Sequence, residues 1–307
     1  MDTTSDDAIR LEAVVKRYGE QAALDGVSLA VPRGRLFGLI GHNGAGKSTL
    51  IKLLLNLVLP TSGRLWIGGR EVCGTADRDT RRRVGYLPEN LVLYDNLCGL
   101  ETLRFFARLK GAPQSQCPEL LERVGLAGVG RRPVRAYSKG MRQRLGFAQA
   151  LLGQPELLLL DEPTSGLDPT GTRDFFAQLQ KLRDAGVTLL ISSHMLADLQ
   201  GRVDALAMLV GGRLVAQGTV QQLREHSALP LRLLVSAIPA RLDTLPGELS
   251  AHAGLSLRRD APDRLQIELP RPQKMAVLGV LAHAGVADLQ LLEPTLEDMY
   301  FELRETP

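Results

Sequence analysis

A chain of 307 residues with 44% hydrophobic and 23% charged residues has room for one large and one small globular domain. The formal net charge of +3 is too small to argue for nucleic acid as a partner. The start, Met1-Asp2-Thr3-Thr4-Ser5-Asp6-Asp7, lacks the basic and apolar regions of a secretion signal, and no apolar run approaches the ~20 residues of a membrane span, so a cytoplasmic chain that meets any membrane through a partner is expected.

Residues 1–8 read as disordered, residues 9–15 as a first strand and residues 23–31 as a second. Tyr18 lies between them, placed either to stack on a nucleobase or to end a strand half-buried. Pro32-Arg33-Gly34 turns the chain into the apolar run 36–40, a buried strand. Residues 47–59 then read as a helix closed by Pro60 and Gly63. Between strand and helix stands Gly41-His42-Asn43-Gly44-Ala45-Gly46-Lys47-Ser48-Thr49. That order makes a phosphate-binding loop: the glycines let backbone approach an anion, and the amides and helix N-terminus point at it. Lys47 adds charge for the β- and γ-phosphates, and Ser48 offers a hydroxyl to Mg²⁺.

Residues 64–72 suggest a hairpin around Gly68-Gly69, residues 78–83 a solvated basic helix face, and residues 84–87 a strand ending at Pro88. A helical insertion spans about residues 91–153, with amphipathic stretches at 101–109 and 118–124. Within it, Ser138 is a good N-cap for a helix over about 140–152. Four leucines then lead to Asp161-Glu162-Pro163 and read as a strand buried on both faces. The two carboxylates stand at the strand end, where open α/β sheets place ligands. Asp161 can hold Mg²⁺ and Glu162 can polarise an attacking water. Helical residues 172–185 and strand 187–191 follow, and His194 stands just past the strand, within reach of a γ-phosphate. The hairpin around Gly211-Gly212 and a helix over Val220–His226 close the first domain, residues 9–226.

Together these residues resemble the nucleotide-binding subunit of an ABC transporter. Residues 41–49 are similar to its Walker A loop, with Gly41, Asn43, Gly44, Ala45, Gly46, Lys47, Ser48 and Thr49 as nucleotide-binding positions. Residues 157–162 are similar to its Walker B strand with Asp161 and the catalytic Glu162. Tyr137-Ser138-Lys139-Gly140-Met141-Arg142-Gln143 resembles the ABC signature in its ABC-2-type variant. The resemblance implies nucleotide contacts for Ser138, Gly140 and Gln143, a D-loop role for Asp168, adenine stacking for Tyr18 and a switch role for His194. Glu89 departs from the pattern, which has glutamine there next to Mg²⁺ and the attacking water. A carboxylate adds negative charge at that point. Residues 85–90, 101–112 and 137–153 further resemble the ATPase subunit of the Nos transporter, which serves copper-site maturation of nitrous oxide reductase. A general drug, lipid or antibiotic exporter subunit is the alternative. A soluble ABC ATPase acting on ribosomes or DNA would be expected to carry paired cassettes or sustained heptads, and a P-loop kinase would leave the signature without use.

Composition changes near residue 228. The rest, 227–307, alternates between strand and helix patterns and suggests a small α+β domain, ferredoxin-like in character. His226, His252 and His283 lack the spacing of a metal site, and Cys73, Cys98 and Cys117 that of a metal or redox site. The fold expected is an α/β P-loop ABC ATPase domain (mixed sheet core, antiparallel β subdomain, helical insertion) with a small C-terminal α+β domain. The resemblance implies an ATPase that uses ATP and Mg²⁺, and a homodimer sandwiching nucleotide between Walker A and the partner's signature. It implies an ABC-2-type permease at the cytoplasmic face of the inner membrane, and a periplasmic accessory protein.

Overall fold

The computed structural model describes residues 6–72 and 78–305. They divide into two compact units with the break between Val220 and Gln221. Cys73 and residues 1–5 lie outside the described residues.

The first unit opens with β1 (Asp7–Tyr18), β2 (Gln21–Pro32), β3 (Leu36–Ile40), α1 (Lys47–Leu54), β4 (Ser62–Ile67), β5 (Arg70–Glu71), α2 (Arg78–Arg83) and β6 (Val84–Leu87). The insertion follows as α3 (Gly99–Lys110), α4 (Gln116–Arg123) and α5 (Lys139–Ala150). The chain continues through β7 (Leu157–Asp161), α6 (Pro169–Asp184), β8 (Thr188–Ser193), α7 (Leu196–Leu199), β9 (Ala205–Val210) and β10 (Arg213–Gly218), and α8 (Val220–His226) begins at the break. Asp7 pairs with Pro32, so β1 starts inside the stretch expected to be disordered. The first helix stops at Leu54, five residues short of its expected end. Asn56 turns left-handed at φ 52°, and the Leu57 N–H reaches back to the Lys52 carbonyl, a helix-ending bond pattern that asparagine tolerates.

Two sheets organise this unit. An antiparallel sheet runs β2-β1-β4-β5, and a six-stranded sheet runs β10-β9-β3-β8-β7-β6. In the second, β9, β3, β8, β7 and β6 pair in parallel and β10 adds an antiparallel edge. Every residue of β3, β7 and β8 is buried, as unbroken apolar runs require when both sheet faces are covered. The parallel alignment brings the carboxyl ends of β3, β7 and β8 to one edge, where Gly41, Glu162 and His194 follow.

The second unit contains β11 (Leu231–Ser236), α9 (Pro239–Leu249), β12 (Ser256–Ala261), β13 (Arg264–Leu269), α10 (Lys274–His283), β14 (Asp288–Leu292) and α11 (Leu296–Glu305). Its sheet order β12-β13-β11-β14, antiparallel throughout, is that of a split βαβ, ferredoxin-like fold. The inward residues of β11 and β13, such as Leu233 and Ile267, pack with Leu245 of α9 and Leu281 of α10.

Candidate functional site

The loop after β3 is shaped by the space around its glycines. Gly46 caps α1 at φ 106°, and a Cβ there would stand 2.7 Å from the Ala23 carbonyl oxygen. Gly41 has ordinary backbone angles; it is needed for room, because a Cβ would meet Ala45 Cβ at 2.7 Å and the Leu209 carbonyl at 2.8 Å. Any side chain at either position would push the loop off its backing strands.

The loop, the β1–β2 turn and the ends of β6 and β7 enclose an open cleft of about 450 Å³, the size of a small-molecule site. Of the expected residues it gathers Tyr18, Asn43, Gly44, Gly46, Lys47, Ser48, Thr49, Glu89, Asp161 and Glu162. Gly41 and Ala45 are buried behind it. Tyr18 is 48% exposed at the end of β1, with Lys16 Nζ 5.1 Å from its ring centre. Tyr18 thus stands exposed at a strand end and lines the cleft, with its ring open to a base.

Lys47 and Glu162 form the centre of the site. Lys47 is only 6% exposed; its ammonium donates to the Gly41 carbonyl and lies 3.2 Å from Glu162 Oε1. Glu162 leaves β7 at φ 48°, a left-handed backbone that costs about 1–2 kcal/mol outside glycine. That turn aims its carboxylate at two partners. Oε1 faces Lys47 without hydrogen-bond alignment, and Oε2 accepts from the His194 Nδ1–H at 2.7 Å and the His194 backbone N–H at 3.3 Å. The acceptor-only carboxylate fixes the proton on Nδ1. His194 does not line the cleft; its imidazole was expected at a γ-phosphate, and here Nδ1 is engaged by the carboxylate while the side chain is 46% exposed.

Asp161 and Glu89 add two more carboxylates to the same wall. Both charges reach Tyr86, whose hydroxyl pKa is pushed up to about 12, first by burial and then by Asp161 and Glu89. Three features fit a triphosphate with a divalent cation. The space beside Gly44 is open, Glu162 Oε1 is a buried oxygen with no hydrogen bond, and Ser48, Glu89 and Asp161 offer the hard oxygen donors that Mg²⁺ prefers.

The remaining expected residues stand elsewhere. Ser138 caps α5, accepting from the Met141 N–H at 3.3 Å, and the helix starts at Lys139, one residue ahead of expectation. Gln143 is buried and donates from Nε2 to the Pro163 carbonyl at 3.0 Å, so its amide braces the turn after Glu162. Asp168 caps α6 by accepting from the Gly171 N–H at 2.6 Å. Ser138, Gly140 and Asp168 are absent from the cleft of their own chain. His226 and His283 bond back to the carbonyls of Gln222 and Gly279, and His252 faces Gln273, so these three histidines form no metal site; no cluster of three His, Cys, Asp or Glu side chains placed to hold a metal occurs among the described residues, and Ser48 would have to complete any Mg²⁺ set in the cleft. Sequence reasoning missed Ser192. Its hydroxyl accepts from the Glu162 N–H at 3.0 Å and donates to Asp161 Oδ1 at 2.6 Å. A serine at a strand end carries no signal of its own, and only the register of β8 against β7 exposes it.

Residues 24–165 match the sequence family described as ABC transporter. The chain is 35% identical over 316 residues to the daunorubicin resistance ATP-binding protein DrrA3 of Streptomyces coeruleorubidus, covering 97% of this chain and 96% of that one. Among solved structures, an ATP-binding subunit of an ABC transporter superposes with a TM-score of 0.66 at 32% identity, covering 71% of this chain and 92% of the other. A dimeric ATP-binding cassette in a post-hydrolysis state, bound to ADP and Pi, gives 0.64 at 25% identity, covering 69% and 98%. The α/β ABC ATPase fold is thus shared with solved cassettes, and the DrrA3 match runs through both units. No described helix is long and apolar enough to cross a membrane. This chain belongs to the ABC transporter ATP-binding subunits, and its enzymatic activity is ATP hydrolysis within a transporter.

Proposed function

We propose that the chain is the ATPase subunit of a drug-type ABC exporter, acting as a homodimer on the cytoplasmic face of the membrane beneath an ABC-2-type permease. The observation that carries this reading is the division of the site within one chain. Lys47, Ser48, Asp161 and Glu162 share one cleft, while Ser138, Gly140 and Asp168 stand outside it. A second copy placed head to tail would bring its Ser138 helix end to the open side of the cleft, in an isologous two-fold dimer. The dimeric cassette bound to ADP and Pi supports that arrangement.

In this reading Tyr18 stacks on the base, and the loop amides with Lys47 hold the phosphates. Ser48, Asp161 and Glu89 would hold Mg²⁺, which would supply charge neutralisation on the phosphates. Glu162 orients or deprotonates the attacking water, and His194 keeps Nε2 for the γ-phosphate while Nδ1 holds Glu162. Phosphate entry would draw Lys47 off Glu162 Oε1 and free the base. ATP favours the closed dimer and hydrolysis releases it; this difference in affinity is what does work on the permease. The helical insertion, with Glu89 at its base, is the surface offered to that permease.

The drug-type assignment rests on the full-length relation to a protein named for daunorubicin resistance. A Nos-type role is the second reading, with a periplasmic accessory protein as further partner; its support is the local resemblance over residues 85–90, 101–112 and 137–153. One strain carrying Glu162→Gln separates them. Loss of resistance to daunorubicin with intact nitrous oxide reduction supports the drug-type reading, and accumulation of nitrous oxide with intact resistance replaces it with the Nos type.

A further inference from the structure

Ser192 has no exposed surface and stands opposite Asp161 in the parallel register of β7 and β8, so the two side chains rise from the same face of neighbouring strands. Its single hydroxyl makes two bonds of opposite sense. It donates to Asp161 Oδ1 at 2.6 Å, a charge-assisted O–H···O⁻ length, and accepts from the Glu162 N–H at 3.0 Å. The first bond engages one carboxylate oxygen of Asp161, a residue that lines the cleft, and leaves Oδ2 outside that bond. The second satisfies an N–H that has left the β7–β8 ladder, because Glu162 departs at φ 48°. One buried hydroxyl therefore sets both the rotamer of Asp161 and the backbone turn that aims Glu162.

We propose that Ser192 is a positioning residue for the metal-holding carboxylate Asp161 and for the Glu162 turn. The inference rests on the reading of Asp161 as a holder of the divalent cation. Removing a partner that orients a ligating carboxylate costs about 10–100-fold in metal affinity or activity. Ser192 reaches the site only through Asp161 and Glu162, so its signature is a loss of metal affinity that leaves metal-free nucleotide binding in place.

The test uses the full chain with saturating ADP, titrated with Mn²⁺ and followed by the electron paramagnetic resonance signal of free Mn²⁺. Thermal unfolding and ADP affinity in chelator are measured alongside. Ser192→Ala is expected to weaken Mn²⁺ binding about 10–100-fold, with ADP affinity in chelator within about twofold of the parent. Ser192→Thr, which keeps the hydroxyl, is expected to restore Mn²⁺ binding. Should the alanine variant not fold, Ser192→Cys keeps the volume and weakens both bonds, and the same shift must appear in reduced size. Asp161→Asn is the control. If it weakens Mn²⁺ binding and folded Ser192→Ala or Ser192→Cys does not, Ser192 has no positioning role and the metal reading survives. If Asp161→Asn itself binds Mn²⁺ like the parent, the metal reading falls and this inference falls with it. A threonine variant as impaired as the alanine variant ties the loss to packing and also overturns the proposal.

Discussion

At the carboxyl ends of β3, β7 and β8 the first unit buries Lys47, Asp161, Glu162, Ser192 and Ser193 side by side. The core of the second unit, from Leu231 through Ile267 to Leu281 and Ala284, is apolar throughout. The two regions are stabilised differently. An apolar core gains from every buried methylene and tolerates exchange of one side chain for another of like volume. A buried polar cluster gains little net stability, and each member left without its partner costs about 1–3 kcal/mol. Glu162 adds backbone strain to that burden. The first unit thus holds groups in place at the expense of stability, which is how a preorganised catalytic site is built. The second unit is organised for packing.

The largest effect is expected at Lys47. Lys47→Ala is expected to lower the ATPase turnover number about 10²–10³-fold or more, by removing the phosphate-directed charge and stranding Glu162. A loss under tenfold, in a steady-state phosphate-release assay, would remove Lys47 from the catalytic centre. The counterpart in the second unit is Leu233→Ala. Leu233 is fully buried, and its truncation should destabilise that unit by about 2–5 kcal/mol. The lone tryptophan, Trp66, lies in β4 of the first unit and reports on it alone. Denaturant unfolding should therefore show a circular-dichroism component moving to lower denaturant while the Trp66 fluorescence transition stays fixed. A joint shift of both signals would mean that the two regions do not unfold separately.

Smaller effects sharpen the picture at the cleft. Tyr18→Ala should raise KM for ATP by roughly tenfold with little change in kcat, since base stacking is worth about 1–3 kcal/mol. An unchanged KM would reduce Tyr18 to a strand-end residue beside Lys16. Glu89→Gln should change ATPase activity least, retaining it while removing one of the three carboxylates. A folded but inactive variant would make that carboxylate essential.

Most of the first unit was legible because its chemistry is contiguous in the chain. Residues 36–49 carry a buried strand, a glycine loop and a helix start in one stretch, and residues 157–162 carry an apolar strand with two carboxylates at its end. The strand–helix alternation after residue 228 likewise anticipated the ferredoxin-like order, since each element has its own period. What stayed hidden depends on partners distant in sequence. Asp7 joins β1 because Pro32 lies opposite it, and Gln143 turns inward because Pro163 offers a carbonyl, whereas the early stop of α1 at Leu54 is local and comes from the left-handed turn at Asn56. His194 on Glu162 and Ser192 beside Asp161 are likewise distant partners, pairs 32 and 31 residues apart joined only by the register of β7 with β8.

In the proposed mechanism Glu162 serves hydrolysis and is dispensable for holding ATP. Glu162→Gln keeps the shape of the side chain and removes its charge, so the direct measurement is ATP turnover alongside sedimentation of the same variant in ATP. The expected result is ATP binding, a stable dimer and turnover reduced at least about 10²-fold. Turnover near that of the parent in a folded, ATP-binding Glu162→Gln protein would contradict it.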